Sequence, residues 1–214
     1  MPIIPIHTPR RLHRPFAMLL IAVTFFTAAV ATADATRAGR LALDPHHTVV
    51  AFHLGGTLHD VYGTFALESG TLSVDPDAET ASGTIVVSAA SGESGNTSRD
   101  ERMANAVLES ARFPEIRFRA ERVEGRPEPD GTFHATLYGV LTLHGDEHDV
   151  AVIVDGRLAG DVVAAHGRFT VPYVAWGISD PSILLLSVAK TVDIDVTTEG
   201  RVVWNDAAHT TGDQ

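Results

Sequence analysis

Residues 132–144 alternate between apolar and polar side chains. Phe133, Ala135, Leu137, Gly139, Leu141 and Leu143 form one row, opposed by Thr132, His134, Thr136, Tyr138, Thr142 and His144. Successive side chains of an extended chain point to opposite faces, whereas a helix returns to one face every 3.6 residues, so this run buries a clean row only as a β-strand. The polar second row also decides the kind of sheet. Strands of parallel sheets are covered on both faces and read as continuous apolar runs, so a strand with one wet face belongs to an antiparallel sheet.

The same period recurs through most of the chain. Val50, Phe52 and Leu54 alternate with Val49, Ala51 and His53, and after Gly55-Gly56 the rhythm resumes with Val61, Gly63, Phe65 and Leu67 against Tyr62, Thr64 and Ala66. This predicts a hairpin-like pair. Further strands are predicted around Leu72 and Val74 before the turn Asp75-Pro76-Asp77, over residues 85–87, and from Ile116 through Phe118 and Ala120. Three more are predicted over residues 150–154, 162–174 and 186–196, the last with Val192, Ile194 and Val196 inward. Many short strands without strand–helix alternation make an all-β domain, either a closed antiparallel barrel or a sandwich. Gly63, Gly83, Gly139 and Gly167 inside strands suit the bends of a barrel. The interior of a small barrel is either filled by side chains or holds one small ligand. The inward rows can therefore be a packed core or the lining of a tunnel.

One stretch breaks the rhythm. In residues 96–118, Met103 and Val107 stand four apart with Ala104 and Leu108 on the neighbouring stripe, which is a helical period. Ser98 and Glu101 have the spacing of a capping box and predict a helix of about three turns opening at Arg99. Phe113-Pro114 ends it, because proline cannot continue a helix and holds the residue before it extended. A single short helix among strands is a lid or plug. Arg99, Asp100 and Arg102 at its start could read a polar headgroup at a barrel mouth. In the plainer reading Asp100 answers the helix dipole and the arginines are solvated.

Arg99-Asp100, then Leu108, then Phe113-Pro114-Glu115-Ile116-Arg117-Phe118 resembles the signature of the YceI-like family, lipid- or polyisoprenoid-binding proteins with a lipocalin-like barrel. Leu41-Ala42-Leu43-Asp44-Pro45 resembles that family's opening motif and Leu141-Thr142-Leu143-His144-Gly145 its turn motif, so the resemblance spans roughly residues 41–198. It implies a lipocalin-like antiparallel β-barrel of about eight strands with one short helix over residues 34–203. It also implies a non-enzymatic binding protein for an apolar chain-like ligand of the isoprenoid quinone or polyprenol type. No catalytic residue, no metal and no cofactor beyond such a bound isoprenoid lipid is then expected. On this reading Phe52, Leu54, Phe65, Phe118, Phe133, Leu137, Leu141, Phe169 and Ile194 line the cavity, and Arg99, Asp100, Met103 and Trp176 stand at its mouth. Two segments depart from the family's pattern: residues 52–63 are shorter with a later histidine, and Trp176-Gly177-Ile178 with the apolar run after it is bulkier.

Residues 1–33 carry Arg10, Arg11 and Arg14 without an acid, then an apolar run over residues 16–30, then Ala31-Thr32-Ala33. That is the order of a secretory signal peptide with its cleavage site, so the mature chain is expected to start at Asp34. The run is shorter than the roughly 20 residues a membrane span needs, and no stable membrane insertion is expected after cleavage. A periplasmic or secreted protein follows, ending in a polar tail over residues 204–214. With no cysteine, the chain has no disulfide framework, thiolate chemistry or lipoprotein anchor. The net charge of -11 includes the three arginines that leave with the signal, so the mature surface is more acidic still and a poor match for nucleic acid or an anionic bilayer. A homodimer is compatible with this reading.

The eleven histidines raise a competing reading, a filled-barrel, stress-related or metal-binding protein that uses surface histidines. His144 and His148 flank a Gly145-Asp146-Glu147 turn and could share a metal with these carboxylates, and His46-His47 and His59-Asp60 are further pairs. No zincin spacing, nucleophile elbow or phosphate-binding glycine loop occurs. The plainer role for His144 is a hydrogen bond that shapes its turn.

Overall fold

The alternating runs form nine strands in one antiparallel sheet: β1 (Gly39–Leu54), β2 (Val61–Phe65), β3 (Leu67–Asp75), β4 (Thr80–Ser88), β5 (Glu115–Glu124), β6 (Thr132–Leu143), β7 (Asp146–Ala159), β8 (Val162–Val171) and β9 (Val192–Trp204). The computed structural model describes residues 38–182 and 187–204. The expected signal peptide, the start at Asp34 and the tail after Trp204 lie outside the described residues.

β1 closes the sheet. One of its edges pairs with β9 from Gly39 to His53. The other edge pairs with β3 over its first residues and with β2 over its last. Because β2 and β3 are separated by Ala66 alone, they fill one place in the wall, and the result is a closed barrel of eight strands with one short helix. Closure removes the unpaired edges that a sandwich would leave.

The opening motif is the corner that lets β1 bend. Asp44, Pro45, His46 and His47 leave the ladder between Leu43 and Thr48. Asp44 holds this bulge: one carboxylate oxygen accepts the His46 N–H at 2.8 Å and the other meets His47 Nδ1 at 2.8 Å. Behind it the buried hydroxyls of Thr48 and Thr198 share a hydrogen bond of 2.7 Å.

Three boundaries differ from expectation. The run predicted over residues 162–174 stops at Val171, because Pro172 offers no N–H and the chain turns, Ile178 N–H donating to the Tyr173 carbonyl at 3.0 Å. The strand predicted over residues 186–196 starts at Val192 and continues to Trp204, since its partner β1 extends back to Gly39. Residue 186 lies outside the described residues, and Trp204 ends a strand instead of opening the tail.

The helix opens earlier than the Ser98–Glu101 spacing predicts. Asn96 is the cap, its side-chain oxygen accepting the Arg99 N–H at 3.0 Å, and α1 runs over Thr97–Arg102. Asparagine is among the strongest capping residues, and Gly95, at a φ of 78°, lets the chain enter at that angle. The helix then widens into a π-turn over Met103–Val107.

The two downstream motifs meet at the β6–β7 hairpin. His144 and Gly145 have φ of 55° and 88°, the left-handed pair of a two-residue hairpin turn. Phe113 lies against Gly145 so closely that a Cβ there would sit 2.6 Å from the ring. The His144 ring lies tilted against Phe113 with centroids 4.4 Å apart, and its Nε2 meets Glu109 Oε1 at 3.1 Å, tying the end of the helical segment to the hairpin. Gly145→Ala is expected to cost about 1–3 kcal/mol through strain and the clash with Phe113. A lower urea midpoint at an unchanged slope is the expected result, and an unchanged midpoint would show that the turn gives way.

Candidate ligand cavity

The inward rows do not fill the barrel. Among the described residues no large side chain is completely buried, since many inward side chains keep one surface toward an internal void. The interior space falls into two cavities, a wide lobe of about 510 Å³ and a far lobe of about 240 Å³. The wide lobe alone has the size of an ordinary small-molecule site. Ile85, Phe118, Phe169 and Val196 border both lobes and stand between them.

All nine side chains expected to line a cavity border this void. Phe52, Leu54, Phe65, Phe118, Leu141, Phe169 and Ile194 face the wide lobe. Phe133 and Leu137 face the far lobe, which they share with Phe118 and Phe169. Phe52 and Phe65 meet at 5.4 Å between ring centroids across the β1–β2 pair.

Of the four residues expected at the mouth, Arg99 and Met103 border the wide lobe, joined by Ser94, Ser98 and Arg102. Asp100 and Trp176 do not. Asp100 turns to the preceding loop, where its carboxylate accepts the Ser94 N–H at 2.9 Å and also the Ser94 hydroxyl. Arg99 grips the same residue, donating from Nε to the Ser94 hydroxyl and from Nη2 to its carbonyl, each at 2.7 Å. The Arg-Asp pair therefore holds the loop at the rim, while Asp100 also lies in the first turn of the helix and Arg102 is exposed. Trp176 is drawn away by the turn after Pro172 and lies flat on His148, ring centroids 3.9 Å apart. In its stead Tyr173, Ile178, Pro181 and Val188 complete the wall. Tyr173 keeps the phase of Phe169 and Val171, so carrying the alternation across Pro172 would have found it.

Among the described residues neither Arg99 nor Arg102 has a carboxylate partner; Arg102 reaches only the Pro181 carbonyl, at 3.5 Å. The cavity is thus apolar throughout except at one end, where two cations and two serines stand. The segment beside that end is pinned across its base. Tyr173 donates to the Ala189 carbonyl at 2.8 Å, and Asp180 is ion-paired with Lys190 while accepting the Ser182 N–H at 2.9 Å. Lys190 and Ser182 hold the Asp180 carboxyl down at about 2. A depressed carboxyl stabilises the fold fully above the ordinary carboxylate range, near pH 4, and the contribution is lost as pH falls through about 2. Asp180→Asn is therefore expected to lower the urea midpoint at neutral pH, with the gap to the parent closing between about pH 4 and 2. A gap independent of pH would assign the effect to packing.

The histidines do not converge. On the outer face His53, His134 and His166 each meet an aspartate, Asp60 at 3.0 Å, Asp155 at 2.5 Å and Asp195 at 2.9 Å. His144 goes to Glu109 and His148 to Trp176, so the hairpin pair shares no point in space. Among the described residues no three histidine or carboxylate side chains form a ligand set.

The family model for the YceI-like domain matches residues 41–200. The chain belongs to the YceI-like family. Solved structures carry the same barrel: BcnA of Burkholderia cenocepacia has a TM-score of 0.59 at 17% identity, covering 73% of this chain and 98% of that one. A polyisoprenoid-binding domain of Saccharophagus degradans, implicated in plant cell wall breakdown, has a TM-score of 0.56 at 12% identity over 79% of this chain and 99% of that one. The Campylobacter jejuni YceI protein reaches a TM-score of 0.51 at 14% identity over 62% and 80%. No curated protein sequence matches the chain. In this YceI-like barrel the opening motif makes the bulge of β1, the central motif builds the helix and its loop at the mouth, and the last motif forms the β6–β7 turn.

Proposed function

We propose that this YceI-like protein is a non-enzymatic carrier of one apolar chain-like molecule, an isoprenoid quinone or polyprenol type of lipid, and works in the periplasm or outside the cell. The observation that carries this reading is the 510 Å³ lobe, walled by aromatic and aliphatic side chains with its polar groups gathered at one end. An isoprenoid chain presents methyl-branched surface and almost nothing to hydrogen-bond, so its affinity comes from area buried at roughly 25 cal/mol per Å². Its single polar head belongs at the end where Ser94, Ser98, Arg99 and Arg102 stand. The binding description of the Saccharophagus degradans domain agrees with this reading. So does the wall itself, in which no histidine lines either lobe among the described residues and both tyrosine and threonine hydroxyls are already hydrogen-bonded.

Mass spectrometry of an organic extract of the purified protein is expected to show about one equivalent of an isoprenoid-type lipid. An extract without lipid, together with failure to take up added prenol, would refute the reading. Export rests on residues 1–33, and amino-terminal sequencing of exported material is expected to start at Asp34. An intact Met1 in the membrane fraction would contradict it.

A further inference from the structure

We propose that the ligand's head is an anion: Arg99 and Arg102 at the mouth select an apolar chain that ends in a phosphate ester or a carboxylate over one that ends in a neutral hydroxyl or carbonyl. This rests on the binding function proposed above and assigns the head of the same ligand. The chain is rich in acids, and most of its described basic side chains are claimed by them; Arg117, Arg119, Arg122 and Arg168 each pair with a carboxylate. Among the described residues Arg99 and Arg102 have no such partner. They stand three apart on α1, with Met103 four residues from Arg99, and side chains at these spacings share one helix face. All three border the wide lobe, so the face that carries the cations is the one turned to the cavity.

The donors set the class of head. A guanidinium carries five N–H groups in a fixed fork. Arg99 spends Nε and one N–H of Nη2 on Ser94, which fixes the side chain and leaves Nη1 without a protein acceptor, and Arg102 touches only the Pro181 carbonyl, at 3.5 Å. A hydroxyl or carbonyl oxygen accepts about two hydrogen bonds and carries no charge, so it would leave both cations uncompensated once the chain displaces water from the mouth. A carboxylate or phosphate accepts several N–H groups, takes a guanidinium in bidentate fashion and cancels its charge. Of the acids next to the mouth in sequence, Asp100 is bound to Ser94 and Asp180 to Lys190, while Glu93 and Glu101 are exposed and do not line the lobe. An acidic head therefore meets the two arginines without a competing carboxylate in the wall.

The test is competitive uptake at constant tail. Delipidated protein is incubated at neutral pH with an equimolar mixture of farnesol, farnesyl phosphate and farnesoic acid, and the retained lipids are quantified by mass spectrometry. At least one of the two acids is expected to be retained tenfold or more over farnesol; preference for the phosphate alone assigns a phosphate ester, and preference for both assigns the charge. Arg102→Gln, at an exposed side chain with one long contact, is expected to leave the circular dichroism parental and to lower the acid-to-alcohol ratio at least fivefold, and Arg102→Lys to keep most of it. Farnesol retained as well as both acids, or a ratio unchanged in a folded Arg102→Gln variant, would overturn the anionic head while leaving the carrier reading standing. Retention of none of the three lipids would sink both.

Discussion

Ile194→Trp is expected to reduce the apolar ligand retained by the protein at least tenfold while the barrel stays folded. Ile194 stands on β9 in register with Phe52 on one side and Phe169 on the other, and all three face the wide lobe. Enlarging a side chain in a packed core costs about 1–3 kcal/mol through off-rotamer side chains and backbone shifts. Here the indole has a 510 Å³ void to enter, so the expected cost to folding lies at the low end of that range. The ligand loses what the indole gains. Excluding about 100 Å² of prenyl surface removes roughly 2.5 kcal/mol, which is more than tenfold in affinity. A variant with a parental melting curve and undiminished lipid would show that the ligand does not occupy this lobe.

Phe118→Ala is expected to destabilise the barrel by about 3 kcal/mol. It is 8% exposed, among the described residues the most enclosed phenylalanine after Phe52, and its ring lies so close over Gly139 that a Cβ there would approach it to 2.8 Å. Buried Phe→Ala changes cost about 3–5 kcal/mol, combining lost transfer energy with a cavity that does not collapse. The low end applies because Phe118 borders both lobes and has fewer neighbours to lose than a residue of a filled core. Equilibrium urea unfolding measures this, and a loss under about 1 kcal/mol would mean that the Phe118 ring is not packed between the two lobes.

Much of this fold was legible in the residues. The phase of each inward row follows from alternation, which is why all nine side chains read as inward from Phe52 to Ile194 border the void. Alternation alone does not separate a barrel from a sandwich, because both bury every second residue. The choice is made by the pairing of β1 with β9, between residues about 150 positions apart, and by the Asp44–His47 bulge that lets β1 serve two neighbours on its other edge. Side chains at the mouth were less legible for a related reason. Proximity in sequence puts Asp100 and Trp176 near the opening, whereas their directions are set by contacts with Ser94 and His148 that no local pattern encodes. The void itself depends on how far apart opposite walls stand, a quantity that composition does not carry. The helix start is a competition between two local signals, and the asparagine cap at Asn96 prevails over the capping-box spacing two residues later.

Entry of one apolar chain into the wide lobe from the polar end is tested most directly by a methyl-labelled NMR titration with farnesol. The methyl signals of Leu54, Val87, Leu141 and Ile194, which line the wide lobe, are expected to shift and saturate at one equivalent. Those of Val49, Val162 and Val203, exposed on the outside of the barrel, are expected to stay in place. Shifts confined to the exterior methyls, or interior methyls that remain unmoved at several equivalents of farnesol, would contradict it.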